Sequence, residues 1–282
     1  MMSWRVTDAE WSASLSAVPS ILNNVAPAYR DRCERVLRGM NEPGFSQAWQ
    51  DWILYRNFFA GQQTGVYVEV GTNDAIKLSN TAFFDLCLGW RGICFEPQEM
   101  YHAKIREKRR CELVPSCVLG QPGNSSFRGT GTHMSAGGHV GKQSTMTCVG
   151  LLQELQRLRI GTSVDLLSID IEGLEPNVLR CVPWHELNIR LVLIETNKHR
   201  LSMVDNFFHA HGYANVATLL QGPHPKDRTA TWLDNLYLRM PGGPLVLPRG
   251  EPTCSHEDRQ LNSFCAPFAR WERGTVPWQC TL

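Results

Sequence analysis

Apolar and polar positions follow two different periods along the chain. From about residue 7 to 60 the spacing is helical. Asp31 to Met40 is a charged amphipathic segment, Asn41-Glu42-Pro43-Gly44 is a turn, and SQAWQDWILYRNFF resumes with Trp49, Trp52, Ile53 and Phe59 at helical intervals. That spacing assigns the aromatic residues Trp49, Trp52, Tyr55, Phe58 and Phe59 to a core before an acceptor pocket. The period then shortens. Apolar runs suited to buried strands fall at Val66 to Val70, at GICFE ending on Glu96, and at Glu112 to Leu119. Two more follow, VDLLSID ending on Asp170 and IRLVLIE ending on Glu195. Helical stretches separate the runs, the first of them capped by Ser79-Asn80-Thr81. Strands alternating with helices imply a mostly parallel α/β sheet with helices on both faces. The last two strands, Ala214 to Leu220 and Thr229 to Met240, are joined by QGPHPKDR, too short for a helical crossover. A seven-stranded sheet ending in an antiparallel hairpin is therefore expected. Gly120 to Met146 is rich in Gly, Ser and Thr and lacks either period, which predicts a long loop able to act as a lid.

A chain of 282 residues, 43% of them hydrophobic and 20% charged, can bury one large core with appendages. The expected division is a helical region at 1–60 capping the site, a binding and catalytic domain at 61–240, and a Pro- and Cys-containing extension at 241–282. A net charge of +1 argues against nucleic-acid binding driven by a positive field. The one basic run, KIREKRR from Lys104 to Arg110, reads as a solvated helix face. No apolar stretch approaches the roughly 18 residues of a membrane span, and the N-terminus lacks a signal-peptide core. The chain thus reads as soluble and cytoplasmic. Seven of the ten cysteines are scattered, several in apolar runs where a thiol serves as a small hydrophobe. Cys254, Cys265 and Cys280 share the tail, where an oxidising compartment would permit a disulfide. No CxxC pair suggests structural zinc. The tail has features suited to a sheet edge or a homodimer contact, and its sequence does not choose between them.

The segment VYVEVGTND, Val66 to Asp74, carries the most chemistry. A strand ends near Glu69, turns at Gly71, and is followed 27 residues later by Glu96 at the end of the next strand. A glycine turn lets backbone N–H groups approach a ligand, and a carboxylate at the second strand's end can accept two ribose hydroxyls. Glu69, Glu96, Asp170 with Glu172, and Glu195 all fall at the carboxyl edge where such sheets bind ligands. Acids converging there repel one another unless a cation, a metal or donor hydroxyls lie among them. A cationic, hydroxyl-bearing nucleoside fits, and S-adenosylmethionine is one.

Taken in order, VEVGTNDAIKLSNTAFF, LGWRGICFEP, DLLSIDIEGLEPNVL and VLIETN resemble the FkbM-type methyltransferase family. The resemblance runs over roughly residues 45 to 240 and is poor at 120–146. It implies a class I methyltransferase (Rossmann-like) sheet, S-adenosylmethionine as cofactor, and methylation of a hydroxyl on a sugar or other small molecule. It also implies that Glu69, Gly71 and Asn73, with Asp74 beside them, surround the methionine part of the cofactor, and that Glu96 holds the ribose. Asp170 and Glu172, in the D-x-E-G pattern, would face the reacting centre. Ala75 stands where the family often has glycine, and the turn tolerates it only if φ there is negative.

Two routes can accept the substrate proton. Asp170 or a histidine can act as general base, with His199, four residues past Glu195, best placed, and His133 and His139 on the long loop. Alternatively Asp170, Glu195 and Asn197 can hold a divalent cation such as magnesium, as in catechol O-methyltransferases. Plainer roles compete: an N-cap for Asp170, first-turn acids for Glu172 and Glu175, a structural carboxylate for Glu195. A nicotinamide-dependent oxidoreductase is disfavoured because G-x-G-x-x-G is absent after the first strand. A non-catalytic binding protein on the same fold is the remaining alternative.

Overall fold

A computed structural model of the chain describes residues 5–40, 44–119, 123–128, 143–171, 173–197, 200–224, 227–241 and 270–271. The chain divides into two compact units, Met1–Val114 and Pro115–Leu282. The fold is the class I methyltransferase arrangement: a mostly parallel sheet with an antiparallel final hairpin, and helices between its strands.

In the first unit, α1 (Asp8–Ser16) opens with a capping box in which Thr7 Oγ accepts from Glu10 N–H and Thr7 N–H donates to the Glu10 carboxylate. Next come α2 (Val18–Asn23), α3 (Arg30–Arg38) and α4 (Gln50–Leu54), the last running into a π-turn at Tyr55–Phe59. The buried Asp51 carboxylate fixes the approach to α4, accepting from Phe45 N–H, Ser46 N–H and Ser46 Oγ. The strands β1 (Val66–Val70), β2 (Arg91–Phe95) and β3 (Glu112–Val114) are all parallel, joined through α5 (Ala82–Leu86) and α6 (Glu99–Lys108). Tyr55 meets Phe83 at 5.2 Å, and Phe59 meets Phe84 and Trp90 at 5.5 and 5.0 Å. Such ring pairs add to area burial, so Tyr55, Phe58 and Phe59 lie in the core as their helical spacing indicated, while Trp49 and Trp52 are half-buried. Gly92 lies opposite Tyr67 across β1–β2, and a Cβ on it would stand 2.0 Å from the Tyr67 ring. Only glycine lets that ring lie across the strand.

In the second unit, β4 (Cys117–Leu119), β5 (Gly123–Arg128) and β6 (Gln143–Gly150) form a small sheet of their own. The stretch Glu112 to Leu119, expected as one strand, is broken into β3 and β4, which pair in different sheets. The expected loop at 120–146 is also corrected, since both its ends are strands and β5 pairs antiparallel with β6. Ser and Thr have adequate strand propensity but no apolar alternation to advertise it. The middle of that segment, with His133 and His139, lies outside the described residues. After α7 (Leu151–Arg157), β7 (Ser163–Ile169) and β8 (Asn188–Asn197) pair in parallel on either side of α8 (Glu175–Cys181). Past α9 (Leu201–Ala210), β9 (Tyr213–His224) and β10 (Asp227–Arg239) form the expected antiparallel hairpin, with β10 against β8. Of the tail, only the two-residue strand β11 (Arg270–Trp271) is described, parallel to β9. Cys254, Cys265 and Cys280 lie outside the described residues. Among the described residues no helix is long and apolar enough to cross a membrane.

Six cysteines form three disulfides, Cys33–Cys87, Cys94–Cys111 and Cys117–Cys148. Reading them as separate buried thiols was wrong, because partners distant in sequence meet only through the register. Cys117 and Cys148, for example, are directly paired positions of β4 and β6. Cys33–Cys87 ties α3 to the end of α5 across 54 residues, for which loop-closure entropy gives about 4 kcal/mol. Replacing both by serine is expected to lower the thermal midpoint by several degrees. An unchanged midpoint would show that the bridge is not formed.

Candidate cofactor site and acidic strand edge

At the carboxyl end of β1 the backbone turns over the end of β2. Gly71 adopts φ +88°, and the N–H groups of Gly71 and Thr72 both donate to Phe95 O, at 3.0 and 3.1 Å. Asn73 is also left-handed, at φ +52°, a region that asparagine tolerates better than most side chains. This directs its N–H at Glu96 Oε2, 2.6 Å away. Gln98 N–H donates to Glu96 Oε1 at 2.7 Å. Each carboxylate oxygen thus accepts one of these N–H groups and retains lone-pair capacity for a further donor. Glu96 is 2% exposed. Burial pushes its pKa above the usual carboxylate value, against the opposing pull of the Gln98 and Asn73 N–H groups. Ala75 is buried and absent from the left-handed residues, so the methyl in place of glycine is accommodated, as its sequence position required.

The other acids of this loop are engaged by protein groups. Glu69, 3% exposed, accepts from Ser79 Oγ at 2.8 Å through Oε1, and its Oε2 lies 3.2 Å from Arg109 Nη1. Asp74 Oδ1 accepts from the N–H groups of Ile76 and Lys77 at 2.9 and 2.8 Å, and Oδ2 pairs with Lys104. Both carboxylates therefore shape the loop with the atoms expected to meet a ligand. Reading KIREKRR as a solvated face was wrong at one position, since the Arg109 side chain is fully buried. Arg109 follows the last turn of α6, where helical periodicity no longer says which way a side chain points.

The second unit contributes a separate edge. Asp170 follows β7 and is half-buried. The turn after it is closed by Glu175, whose Oε1 accepts from Ile171 N–H and Gly173 N–H at 3.2 and 2.9 Å. Arg200 Nη1 donates to Gly173 O at 2.6 Å and stands 3.9 Å from Glu175 Oε2. Gly173 needs its φ of +98° here. Glu175 is 2% exposed, and burial pushes its pKa up. It is a first-turn acid of α8, as one reading of the sequence had it, and its buried carboxylate also clasps the loop. Ile169 pairs with Ile194, so the next position in register sets Asp170 beside Glu195. Asp234 of β10 lies directly opposite Glu195, and both are buried, at 1% and 8% exposed. Directly opposed residues share a sheet face. Asp234 was missed in the sequence because hairpin register is not written in the local pattern. Glu172 and His199 lie outside the described residues, as does the side chain of Asn197, the last residue of β8. Among the described residues no group of three or more His, Cys, Asp or Glu could hold a metal ion.

A nucleotide-type glycine turn, a buried acid after the second strand and this sheet topology define a class I methyltransferase. The methyltransferase FkbM domain model matches residues 69–214, just over half of the chain, and the chain belongs to that family. It is an S-adenosylmethionine-dependent methyltransferase. No curated protein matches it. Solved structures similar to it include a precorrin-6y C5,15-methyltransferase from Geobacter metallireducens, at 13% identity and TM-score 0.37 over 63% of this chain and 81% of that one. A putative RNA methyltransferase from Pyrococcus horikoshii aligns at 14% and 0.41 over 71% and 85%. An O-methyltransferase from Bacillus cereus, in complex with SAH, aligns at 10% and 0.38 over 83% and 92%. Likeness at this level says nothing about the acceptor.

Glu96 accepts two hydroxyls only as a carboxylate. Because its pKa is raised, cofactor affinity is expected to fall as pH drops through that raised value and to be full well above it. Glu96→Gln should bind S-adenosylhomocysteine at least about tenfold more weakly at neutral pH and lose this pH dependence. Wild-type affinity that stays constant from pH 7 to about pH 4.5 would contradict the assignment.

Proposed function

We propose that the protein transfers the methyl group of S-adenosylmethionine to a hydroxyl of a sugar or other small molecule. The observation that carries this reading is the buried Glu96 carboxylate, which holds Asn73 and Gln98 yet keeps acceptor capacity for a ribose diol. Gly71 and Asn73 supply the turn around the methionine part, while Glu69 and Asp74 hold that turn in shape. The bound cofactor supplies an electrophilic methyl group. The protein's work is then to orient the acceptor oxygen in line, exclude water and receive one proton.

Asp170, Glu172 and His199 are the groups proposed to receive or relay that proton, with Glu175 and Arg200 holding the turn that bears Asp170 and Glu172. Asp170, Glu195 and Asn197 offer oxygen donors of the kind that suit magnesium. Such an ion would also offset the repulsion expected between neighbouring strand-edge acids. The segment between β5 and β6 is the proposed acceptor-specificity element, and residues 1–60 the proposed cap.

The disulfides favour an oxidising compartment over the cytoplasmic one expected from the sequence. Three disulfides drawn from six of ten cysteines are unusual in a reducing one.

Methyl transfer from labelled cofactor to a panel of sugars and hydroxylated metabolites, with and without chelator, tests the reaction. Label is expected in an ether linkage on at least one acceptor. Label appearing only on amines or thiols would refute O-methylation, and activity unchanged by exhaustive chelation would refute the metal.

A further inference from the structure

The most heavily bonded side chain among the described residues is one that the sequence placed in solvent. Arg109 Nε donates to Asp85 Oδ2 at 2.6 Å. Its Nη1 reaches Glu69 Oε2, Ala75 O and Ser79 Oγ at 3.2, 3.3 and 3.0 Å. Its Nη2 donates to Tyr67 Oη and Thr81 Oγ1 at 3.1 and 2.8 Å. All five guanidinium N–H donors are thereby occupied, and the side chain is fully buried. Its partners come from β1 (Tyr67, Glu69), from the turn after it (Ala75, Ser79, Thr81) and from α5 (Asp85). The turn is held at both its backbone and its side chains.

We infer that Arg109 is the positioning residue of the cofactor site: it fixes Glu69 and the 71–81 turn in the shape that lets Asn73 N–H meet Glu96, while touching no ligand itself. The inference rests on the proposed S-adenosylmethionine site. Two features separate this role from simple core filling. First, an apolar side chain of similar volume could fill the space but could not direct five donors at three segments, and a lysine could not reproduce the planar fork. Second, the cluster is not neutral. Glu69 and Asp85 formally outnumber Arg109 by one charge, and Glu96 lies close enough to Glu69 for that carboxylate to raise its pKa. A buried excess of negative charge beside an open hydroxyl acceptor suits a ligand that carries a sulfonium and an ammonium.

The test is S-adenosylhomocysteine titration by calorimetry on the full oxidised chain, with the folded fraction fixed by near-ultraviolet circular dichroism. Arg109→Lys is compared with wild type, alone and in a Glu69→Gln background. In the wild-type background it is expected to weaken binding at least about tenfold per folded molecule. In the Glu69→Gln background the loss should be smaller than in wild type, because one of the contacts through which Arg109 shapes the turn is already altered. If Arg109→Lys does not fold, Thr81→Val, which removes one Nη2 partner, carries the test and should weaken binding about threefold. A lowered thermal midpoint with unchanged affinity of the folded protein, in whichever variant folds, overturns the positioning role and leaves a stabiliser of the fold. A wild-type chain that binds no S-adenosylhomocysteine overturns the cofactor reading, and the inference with it.

Discussion

The N-terminal unit depends on a charge arrangement that is expensive to bury and more expensive to break. Arg109 is enclosed by Glu69 and Asp85 with every donor matched, and Tyr67 is drawn in on both sides, accepting from Arg109 and donating to Asp85. Removing Arg109 would leave both buried carboxylates without their cation, at about 3–5 kcal/mol. Much else in the unit follows from keeping it whole. Gly92 has no side chain because the Tyr67 ring lies over it. Ala75, which is not left-handed, turns its carbonyl toward Arg109. The Cys94–Cys111 disulfide joins β2, one residue before its end at Phe95, to the residue two past Arg109. The strand that delivers Glu96 is thus covalently tied to the segment that delivers the clamp.

The two units solve the same local problem in similar ways. After β1, a left-handed pair, Gly71 and Asn73, reverses the chain, and buried acids hold it from behind. After β7, Gly173 reverses the chain, and Glu175 with Arg200 holds it. In both places carboxylates that sequence reading would aim at a ligand, or expose on a helix end, are turned onto backbone N–H groups and arginines. Glu96 and Asp170 stand immediately after the strands themselves, β2 and β7.

Much of the fold was legible because its signals are local. Helical spacing before residue 60, apolar runs ending in acids and the tight final connection each state their own structure, and the motif order carried the family. What was hidden depends on long-range partners. The disulfides need register between distant segments, the opposition of Asp234 to Glu195 needs the hairpin alignment, and the burial of Arg109 needs the path of the chain after α6. The small sheet of β4, β5 and β6 was missed for another reason: β5 has no apolar alternation, and the short alternation of Met146 and Cys148 in β6 ends a stretch rich in Gly, Ser and Thr. For the candidate site, the sequence named the turn and the second acid that the structure joins through the Asn73 N–H bond to Glu96. It did not tell which acids contact a ligand and which support the loop, because residue type and spacing are the same for both roles.

The central claim is that the turn after β1 and the acid after β2 form one nucleoside site in which Glu96 alone is free to hold the ribose. A crystal structure of the oxidised chain with S-adenosylhomocysteine tests it most directly. The account predicts both ribose hydroxyls within hydrogen-bond distance of Glu96, with Glu69 and Asp74 still on Ser79, Arg109, Lys104 and the loop backbone. A nucleoside bound with its ribose on any other carboxylate, or Glu69 released from Arg109 to grip it, would contradict the account.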